Sequence, residues 1–268
     1  VGDSQLQFEA PAAGDYYVRV RDAGAAGGER YAYRLMLRPL EPDYDVVLDS
    51  YHMNVSPGEI EPLLARVRRR DGFDAPVTVQ LHDLPAGFTA SAETIPAGED
   101  DVVLAVKTAP DAKSTELAAN FRVTATSTLG GAEVIREARI GSITVSQKQP
   151  DIRVRNQETQ LAIRPGKSQW LSIKLERQNG FSSRVPINVL NLPFGVRVLD
   201  TGLNGILVRE GETERSMEIY VEPWVKPMKQ NLYVQAKIES PSNGRLLFIS
   251  EPIVLDTTPE TLASAEQK

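Results

Sequence analysis

The sequence predicts an all-β protein made of antiparallel β-sandwiches in tandem, and two observations carry this prediction. The first is a period-2 alternation in short runs that end at Gly, Pro, Asp or Asn, a pattern typical of strands joined by tight turns. In Arg30–Arg38, for example, Tyr31, Tyr33, Leu35 and Leu37 share one face. The second observation is an internal repeat.

The repeat consists of short motifs that recur 108 positions apart. The pairs are Pro42-Asp43 with Pro150-Asp151, Pro57-Gly58 with Pro165-Gly166, Arg69-Arg70-Asp71-Gly72-Phe73 with Arg177-Gln178-Asn179-Gly180-Phe181, and Leu84-Pro85-Ala86-Gly87 with Leu192-Pro193-Phe194-Gly195. Asp-Gly and Asn-Gly supply the positive φ angles that a tight hairpin needs. Further along, small insertions change the offset to 110 or 111. The sequence therefore predicts two homologous modules with almost no linker between them.

The repeat sets the expected domain boundaries. Residues 42–147 and 148–258 are each predicted to form a sandwich of about seven short strands, which is the size of an immunoglobulin-like domain. Residues 1–41 are predicted to be a partial β-sandwich domain with strands near Gln5–Glu9, Asp15–Arg21 and Arg30–Arg38, because about 40 residues cannot build an independent core. Residues 259–268 are predicted to be a tail. The best helical candidate, Asp111–Ala119, is short and equally suits a loop.

Composition excludes several classes of function. The net charge of −6 and the pI near 5.2 argue against a nucleic-acid surface, which needs a concentrated positive field. The absence of cysteine removes disulfides, thiolate metal sites and cysteine nucleophiles. Only two histidines are present, and no run of about 18 apolar residues predicts a membrane helix.

Candidate catalytic residues are few. His82 and Asp83 are neighbours near the end of a predicted strand and point to opposite faces, which favours a loop role over catalysis. His52 is close to aromatic residues, which leaves a buried or interface role open. No cofactor is expected. Glu99-Asp100-Asp101 is a candidate calcium site, but a solvated turn is the favoured interpretation.

The two tryptophans are the best candidate binding residues. Trp170 has the outward parity of its strand, whereas Leu171, Ile173 and Leu175 point inward. Trp224 lies in a loop bounded by two prolines. An exposed tryptophan is suited to anchor a protein contact or to stack on a sugar. The favoured alternative is that each tryptophan covers a domain joint or the edge of its own sandwich.

The first part of the chain resembles the later half of the bacterial pre-peptidase C-terminal domain. The resemblance lies in Leu6-Gln7-Phe8-Glu9-Ala10-Pro11-Ala12-Ala13-Gly14-Asp15-Tyr16-Tyr17-Val18-Arg19-Val20, in Gly27-Gly28 and in Tyr31-Ala32-Tyr33-Arg34-Leu35. The rest resembles the immunoglobulin-like modules that often follow that domain. The resemblance implies a secreted, cell-surface or periplasmic bacterial protein, and no catalytic residue carries over from either family. It also implies that the earlier half of the first domain is missing from this chain.

The predicted function is that of a non-catalytic structural or adhesive module in an exported bacterial protein. Its expected partners are other protein subunits or an upstream part of the same polypeptide. The alternative is a carbohydrate-binding accessory region of a larger extracellular enzyme, with Trp170 and Trp224 contacting a polysaccharide.

Overall fold

The computed structural model describes residues 6–50, 52–112, 116–118, 122–139, 142–145, 150–199, 201–202, 205–240 and 244–258. Every regular element in these ranges is a β-strand, which confirms the predicted all-β class. The strands build two sandwiches, each around its own hydrophobic core. In the described part of the chain no helix has the length and apolarity needed to cross a bilayer.

The first sandwich, module 1, runs from β1 to β11. Its strands are β1 Asp43–Leu48, β2 His52–Val55, β3 Ile60–Arg70, β4 Val77–His82, β5 Phe88–Ala90, β6 Glu93–Ile95, β7 Asp101–Thr108, β8 Glu116–Ala118, β9 Arg122–Leu129, β10 Ala132–Arg139 and β11 Ser142–Val145. One layer has the order β1-β3-β7-β5, and the other contains β10-β9-β4-β6 and β2-β11-β8. The short strand β8 lies within Asp111–Ala119, the segment for which the sequence predicted a helix or a loop.

The second sandwich, module 2, runs from β12 to β21. Its strands are β12 Ile152–Asn156, β13 Gln160–Ala162, β14 Ser168–Arg177, β15 Val185–Leu190, β16 Val196–Val198, β17 Ile206–Val208, β18 Glu214–Val221, β19 Lys229–Ser240, β20 Gly244–Ile249 and β21 Ile253–Asp256. One layer has the order β12-β14-β18-β16, and the other has the order β13-β21-β19-β15-β17, with β20 also paired to β19.

The two modules share one topology. The order β1-β3-β7-β5 recurs as β12-β14-β18-β16 and matches the first sheet of an immunoglobulin-like sandwich. The first strand of each module, β1 or β12, pairs antiparallel with β3 or β14 in one sheet. The chain then crosses to the other sheet, where β2 runs parallel to β11 and β13 runs parallel to β21. The repeat offset of 108 holds as far as β5 and β16, after which a longer loop before β17 changes it.

The predicted turns and inward positions form as expected. Asp71 and Gly72 have φ angles of 50° and 82°, and Asn179 and Gly180 have 53° and 74°, as a tight turn with positive φ at both positions requires. The predicted hairpins do not form, because β3 and β4, like β14 and β15, lie in different sheets and do not pair. The inward sets on β3 and β14 are buried: Leu63, Ala65 and Val67, and Leu171, Ile173 and Leu175. Period-2 alternation therefore predicted the core faces of these strands correctly.

One arginine near the end of β3 and its equivalent on β14 tie two loops of each module to that strand. Each guanidinium donates hydrogen bonds to main-chain carbonyls at 2.7–3.0 Å: Ala75, Pro96 and Glu99 for Arg69, and Ser183, Arg209 and Glu212 for Arg177. Each also lies over the ring of the phenylalanine that follows the turn, at 5.4 and 5.8 Å from the centroid. The repeated arginine has a structural role in both modules.

The leading segment, residues 6–42, differs from the prediction because it forms no strand. Its alternating apolar side chains, including Tyr16, Val18, Tyr31 and Tyr33, are exposed. A strand needs a hydrogen-bonded partner, and so few residues cannot bury enough apolar surface to hold a sheet alone. Gln5, the linker Ser146–Gln149 and the predicted tail lie outside the described residues.

The end of the leading segment is bound to the turn between β3 and β4 of module 1. Arg38 forms a two-bond ion pair with the carboxylate of Asp71, and the main-chain N–H of Glu41 donates to the same carboxylate at 3.2 Å. The hydrogen bond from Arg38 lowers the pKa of Asp71. In module 2 the equivalent Asn179 donates to the carbonyl of Pro150. The same turn position therefore fixes the start of each module.

Candidate functional site

The two modules contact each other through a side of module 1 that the sequence did not single out. Ile60 on β3 and Ala105 on β7 point away from the module 1 core and pack against Tyr233 on β19 and Ile249 on β20, with Leu190 alongside. We call this contact the joint. A signal for it exists in the sequence, because residues 102–106 of β7 form a continuous apolar run, typical of a strand buried on both faces.

A buried polar network lies beside the apolar part of the joint. The Glu93 carboxylate is 5% exposed and accepts hydrogen bonds from the Tyr233 hydroxyl and from the side-chain amide of Asn231 at 3.1 Å. The Ser91 hydroxyl donates to it at 2.8 Å. Burial raises the pKa of Tyr233, and the neighbouring carboxylate raises it further. Tyr233 therefore keeps its proton and remains a hydrogen-bond donor to Glu93.

Asn191 gives the joint its specific geometry. Its φ angle of 60° places the side chain beyond the end of β15. Its Oδ1 accepts the main-chain N–H of Val103 at 2.8 Å, and its Nδ2 donates to the carbonyl of the same residue at 3.0 Å. The Asn191 carbonyl in turn accepts a hydrogen bond from Gln230 at 2.9 Å. Asn191 thus pairs with β7 as a neighbouring strand would.

Ion pairs also cross the joint. Arg153 on β12 pairs with Glu59, which is buried, and Lys107 on β7 pairs with Glu251. Burial raises the pKa of Glu59, although Arg153 opposes that change. Breaking the first pair would leave a buried carboxylate without its cation, which is costly. Apolar packing, buried hydrogen bonds and ion pairs together hold the two modules in one arrangement.

Both predicted binding tryptophans are exposed in module 2, one on a strand and one in a loop. Trp170 is 58% exposed on the outer face of β14, as its parity predicts, and Trp224 is 56% exposed just after β18. Trp224 is paired with a residue that sequence reasoning missed: the ring of Phe194 lies 5.0 Å away between centroids, at an interplanar angle of 45°. Phe194 is itself 77% exposed.

Tyr220 on β18 is half-buried. It is paired with Ser168 on β14, one diagonal step from Trp170, and the guanidinium of Arg197 lies 5.2 Å above its ring. Arg197 also forms an ion pair with Glu222 at 3.1 Å. The Tyr220 ring therefore lies under a cation that is itself paired with an anion.

The histidines do not form a catalytic group with a carboxylate. The ring of His52 contacts the hydroxyl of Ser142 through Nδ1, and His82 contacts Thr124 through Nε2 at 2.7 Å. Neither histidine has a carboxylate partner among its hydrogen bonds in the described residues, so neither has the orienting group of an acid–base triad.

The acidic candidates for calcium are engaged with other groups. Asp101 pairs with Arg66 at 3.4 Å, and Asp100 lies 3.8 Å from Arg69. The Glu99 carboxylate accepts the main-chain N–H of Phe194 at 2.7 Å, across the joint. Among the residues that the structure describes, no three His, Asp or Glu side chains converge as metal ligands.

No protein-family model and no curated protein matches this sequence. Among solved structures, the chain is similar to the D0-D1 domain of intimin, with 12% identity over 80% of this chain and 98% of that one and a TM-score of 0.29. It is also similar to the fibronectin(III)-like modules of Clostridium thermocellum CbhA, with 13% identity over 80% and 94% and a TM-score of 0.25. At these TM-scores, the similarities carry no argument about the function of this chain.

Proposed function

We propose that this chain is a non-catalytic structural module of a secreted or cell-surface bacterial protein, which holds two sandwiches in a fixed relation and offers their surfaces to other proteins. The joint carries the proposal. Between the modules lie the buried Glu93, the two hydrogen bonds of Asn191 to Val103 and an ion pair to the buried Glu59. Two modules joined flexibly would not need such specific contacts.

Two further features support this role. The leading segment exposes alternating apolar side chains, which suit pairing with a strand of another subunit or of an upstream part of the polypeptide. Its resemblance to the pre-peptidase C-terminal domain supports export. Neither histidine lies in a geometry that supports acid–base catalysis.

A distance measurement between the modules tests the fixed arrangement. Because the chain has no cysteine, spin labels can be attached uniquely at Thr128→Cys in module 1 and Lys174→Cys in module 2, both of which are exposed. We expect a narrow distance distribution for the labelled chain. The variant Asn191→Ala with Tyr233→Phe removes the two specific contacts and should broaden that distribution.

The matched control is Asp83→Ala, because Asp83 occupies the module 1 position equivalent to Asn191 and has the same φ of 60°. Its carboxylate pairs with Arg122 within module 1, so its loss should leave the distance distribution unchanged. A broad distribution in the unsubstituted chain would show that the joint does not hold the modules and would overturn the proposal.

A second candidate function is that of a carbohydrate-binding accessory region of a larger extracellular enzyme. The exposed aromatic residues of module 2 favour it, since planar rings held at a surface stack on sugar rings. Trp170 and Trp224 would then contact one polysaccharide chain. Loss of polysaccharide binding on Trp170→Ala or Trp224→Ala would support this role, and a wild-type chain that binds no polysaccharide would contradict it.

A further inference from the structure

We propose that Phe194 and Trp224 form a platform for one ring of a neutral polysaccharide. This inference rests on the second candidate function and deepens it, because it assigns the residues of the site and the chemistry of the ligand. The packing of the two rings, the residues at the same positions in module 1 and the charges near the rings support it.

The rings are held in place rather than left free at the surface. A Cβ atom added to Gly195 would lie 2.6 Å from the Trp224 ring and 2.6 Å from Val225, so the indole rests directly on the glycine backbone. The Phe194 ring lies 5.0 Å from the indole between centroids, and the Phe194 N–H is bonded to the Glu99 carboxylate. A surface that is already ordered loses less entropy when a ligand binds.

Module 1 shows that the sandwich does not need these rings. Leu-Pro-x-Gly carries Phe194 in module 2 and Ala86 in module 1. Gly166 contacts Pro223 just as Gly58 contacts Pro110, so the residue equivalent to Trp224 is the one after Pro110, which is aspartate. Module 1 forms the same topology with alanine and aspartate at these positions. The two exposed aromatic side chains are therefore an addition specific to module 2.

The charges around the platform favour a neutral ligand. Arg197 is balanced by Glu222 at 3.1 Å, and its guanidinium lies over Tyr220. A paired cation and anion present donors and acceptors to hydroxyl groups but give little net attraction to a charged ligand. A neutral sugar ring has an apolar C–H face for the aromatic rings and a rim of hydroxyls for these polar groups.

The position of the platform favours a polymer over a single sugar. Phe194 lies just before β16 and Trp224 just after β18, and β18 pairs with β14, whose outer face carries the exposed Trp170. Successive sugar rings of one polysaccharide could contact the platform and then Trp170, which would act as a second contact.

The test measures binding of the full chain to four probes by affinity electrophoresis and calorimetry. Two probes are neutral polysaccharides, hydroxyethyl cellulose and a soluble galactomannan. Polygalacturonate is the acidic probe, and a proline decapeptide represents a peptide partner that also docks on aromatic rings. The main variant combines Phe194→Ala with Trp224→Asp, which gives module 2 the residues that module 1 carries. Tyr17→Ala, in the exposed leading segment, is the control.

We expect at least one neutral polysaccharide to bind the wild-type chain and the double variant to bind it about ten-fold more weakly or worse. Tyr17→Ala should bind as the wild type does. Trp224→Phe keeps a ring on the platform and should retain binding within about three-fold, which separates loss of the platform from loss of the fold.

Three results would overturn the inference. Neutral binding that persists in the double variant would place the sugar site elsewhere and leave the carbohydrate-binding function standing. No binding to either neutral polysaccharide would remove that function as well. Binding of the proline decapeptide alone, lost in the double variant, would assign the platform to a peptide. None of these results bears on the joint, which the distance measurement tests separately.

Discussion

Replacing Arg69 by alanine should strongly destabilise module 1. The side chain is 11% exposed and donates to three carbonyls on two loops. A hydrogen bond from a charged donor contributes about 1.5–3 kcal/mol, and the contact with the Phe73 ring adds about 0.5–1 kcal/mol. Because such contributions are not additive, we expect a loss of about 3–5 kcal/mol in the free energy of unfolding.

The equivalent change Arg177→Ala should cost module 2 about as much, since its three bonds have nearly the same lengths. Urea denaturation followed by hydrogen-exchange mass spectrometry separates the two modules, because peptides from each report its own transition. Arg69→Lys keeps the charge but cannot bond three carbonyls, so its free energy of unfolding should fall nearly as far as that of Arg69→Ala. Arg68→Ala, at an exposed neighbouring position, should change the free energy of unfolding by less than about 0.5 kcal/mol.

A decrease of less than about 1 kcal/mol in the free energy of unfolding of Arg69→Ala would contradict the predicted role of Arg69, because it would mean that water replaces all three hydrogen bonds at little cost. Equal losses in both modules from a single substitution would show instead that the joint makes them unfold as one unit.

Three further predictions concern single residues. Burial raises the pKa of Glu61 to about 8 from the usual 4.5, so the folded chain keeps this proton to higher pH than the unfolded chain. The stability that this retained proton contributes is complete below pH 4.5 and is lost as the pH rises through 8. Glu61→Gln does not titrate, so it should gain about 3–4 kcal/mol over wild type between pH 5 and pH 8.5 in urea titrations; parallel pH profiles would contradict this. Gly195→Ala should lower the urea midpoint more than Gly87→Ala, because both glycines have φ near 85° but only the first meets Trp224; equal midpoints would contradict the clash. Asp71→Ala should speed hydrogen exchange in the last residues of the leading segment without changing module 2, and unchanged exchange would show that the ion pair does not hold the segment.

Local patterns predicted the inside of each sandwich well. The tight turns at Asp71 and Asn179 depend on backbone conformations that a dipeptide can specify, and the inward residues of β3 and β14 follow from alternation alone. The dipeptide did not show that each turn joins strands of different sheets. The outward position of Trp170 follows from the same alternation.

Contacts between distant parts of the chain could not be predicted in this way. Asn191 was not recognised as a joint residue, because its role depends on where Val103 of the other module lies. The pairing of Phe194 with Trp224 joins two loops that are 30 positions apart. In the leading segment, alternation predicted strands, but a strand also needs a partner, which these residues do not have within the described chain.

Near its start, each module passes from one sheet to the other, and the strand pairing that results has a mechanical consequence. β2 runs parallel to β11, and β13 runs parallel to β21, so the beginning and the end of each module are joined side by side. Tension applied along the polypeptide pulls these two strands in opposite directions along their length. The hydrogen bonds between them are then loaded in shear and must break together rather than one after another. Resistance to such a pull is set by the rate of forced unfolding rather than by equilibrium stability. A chain with this geometry at both modules is suited to carry load between the surfaces it connects.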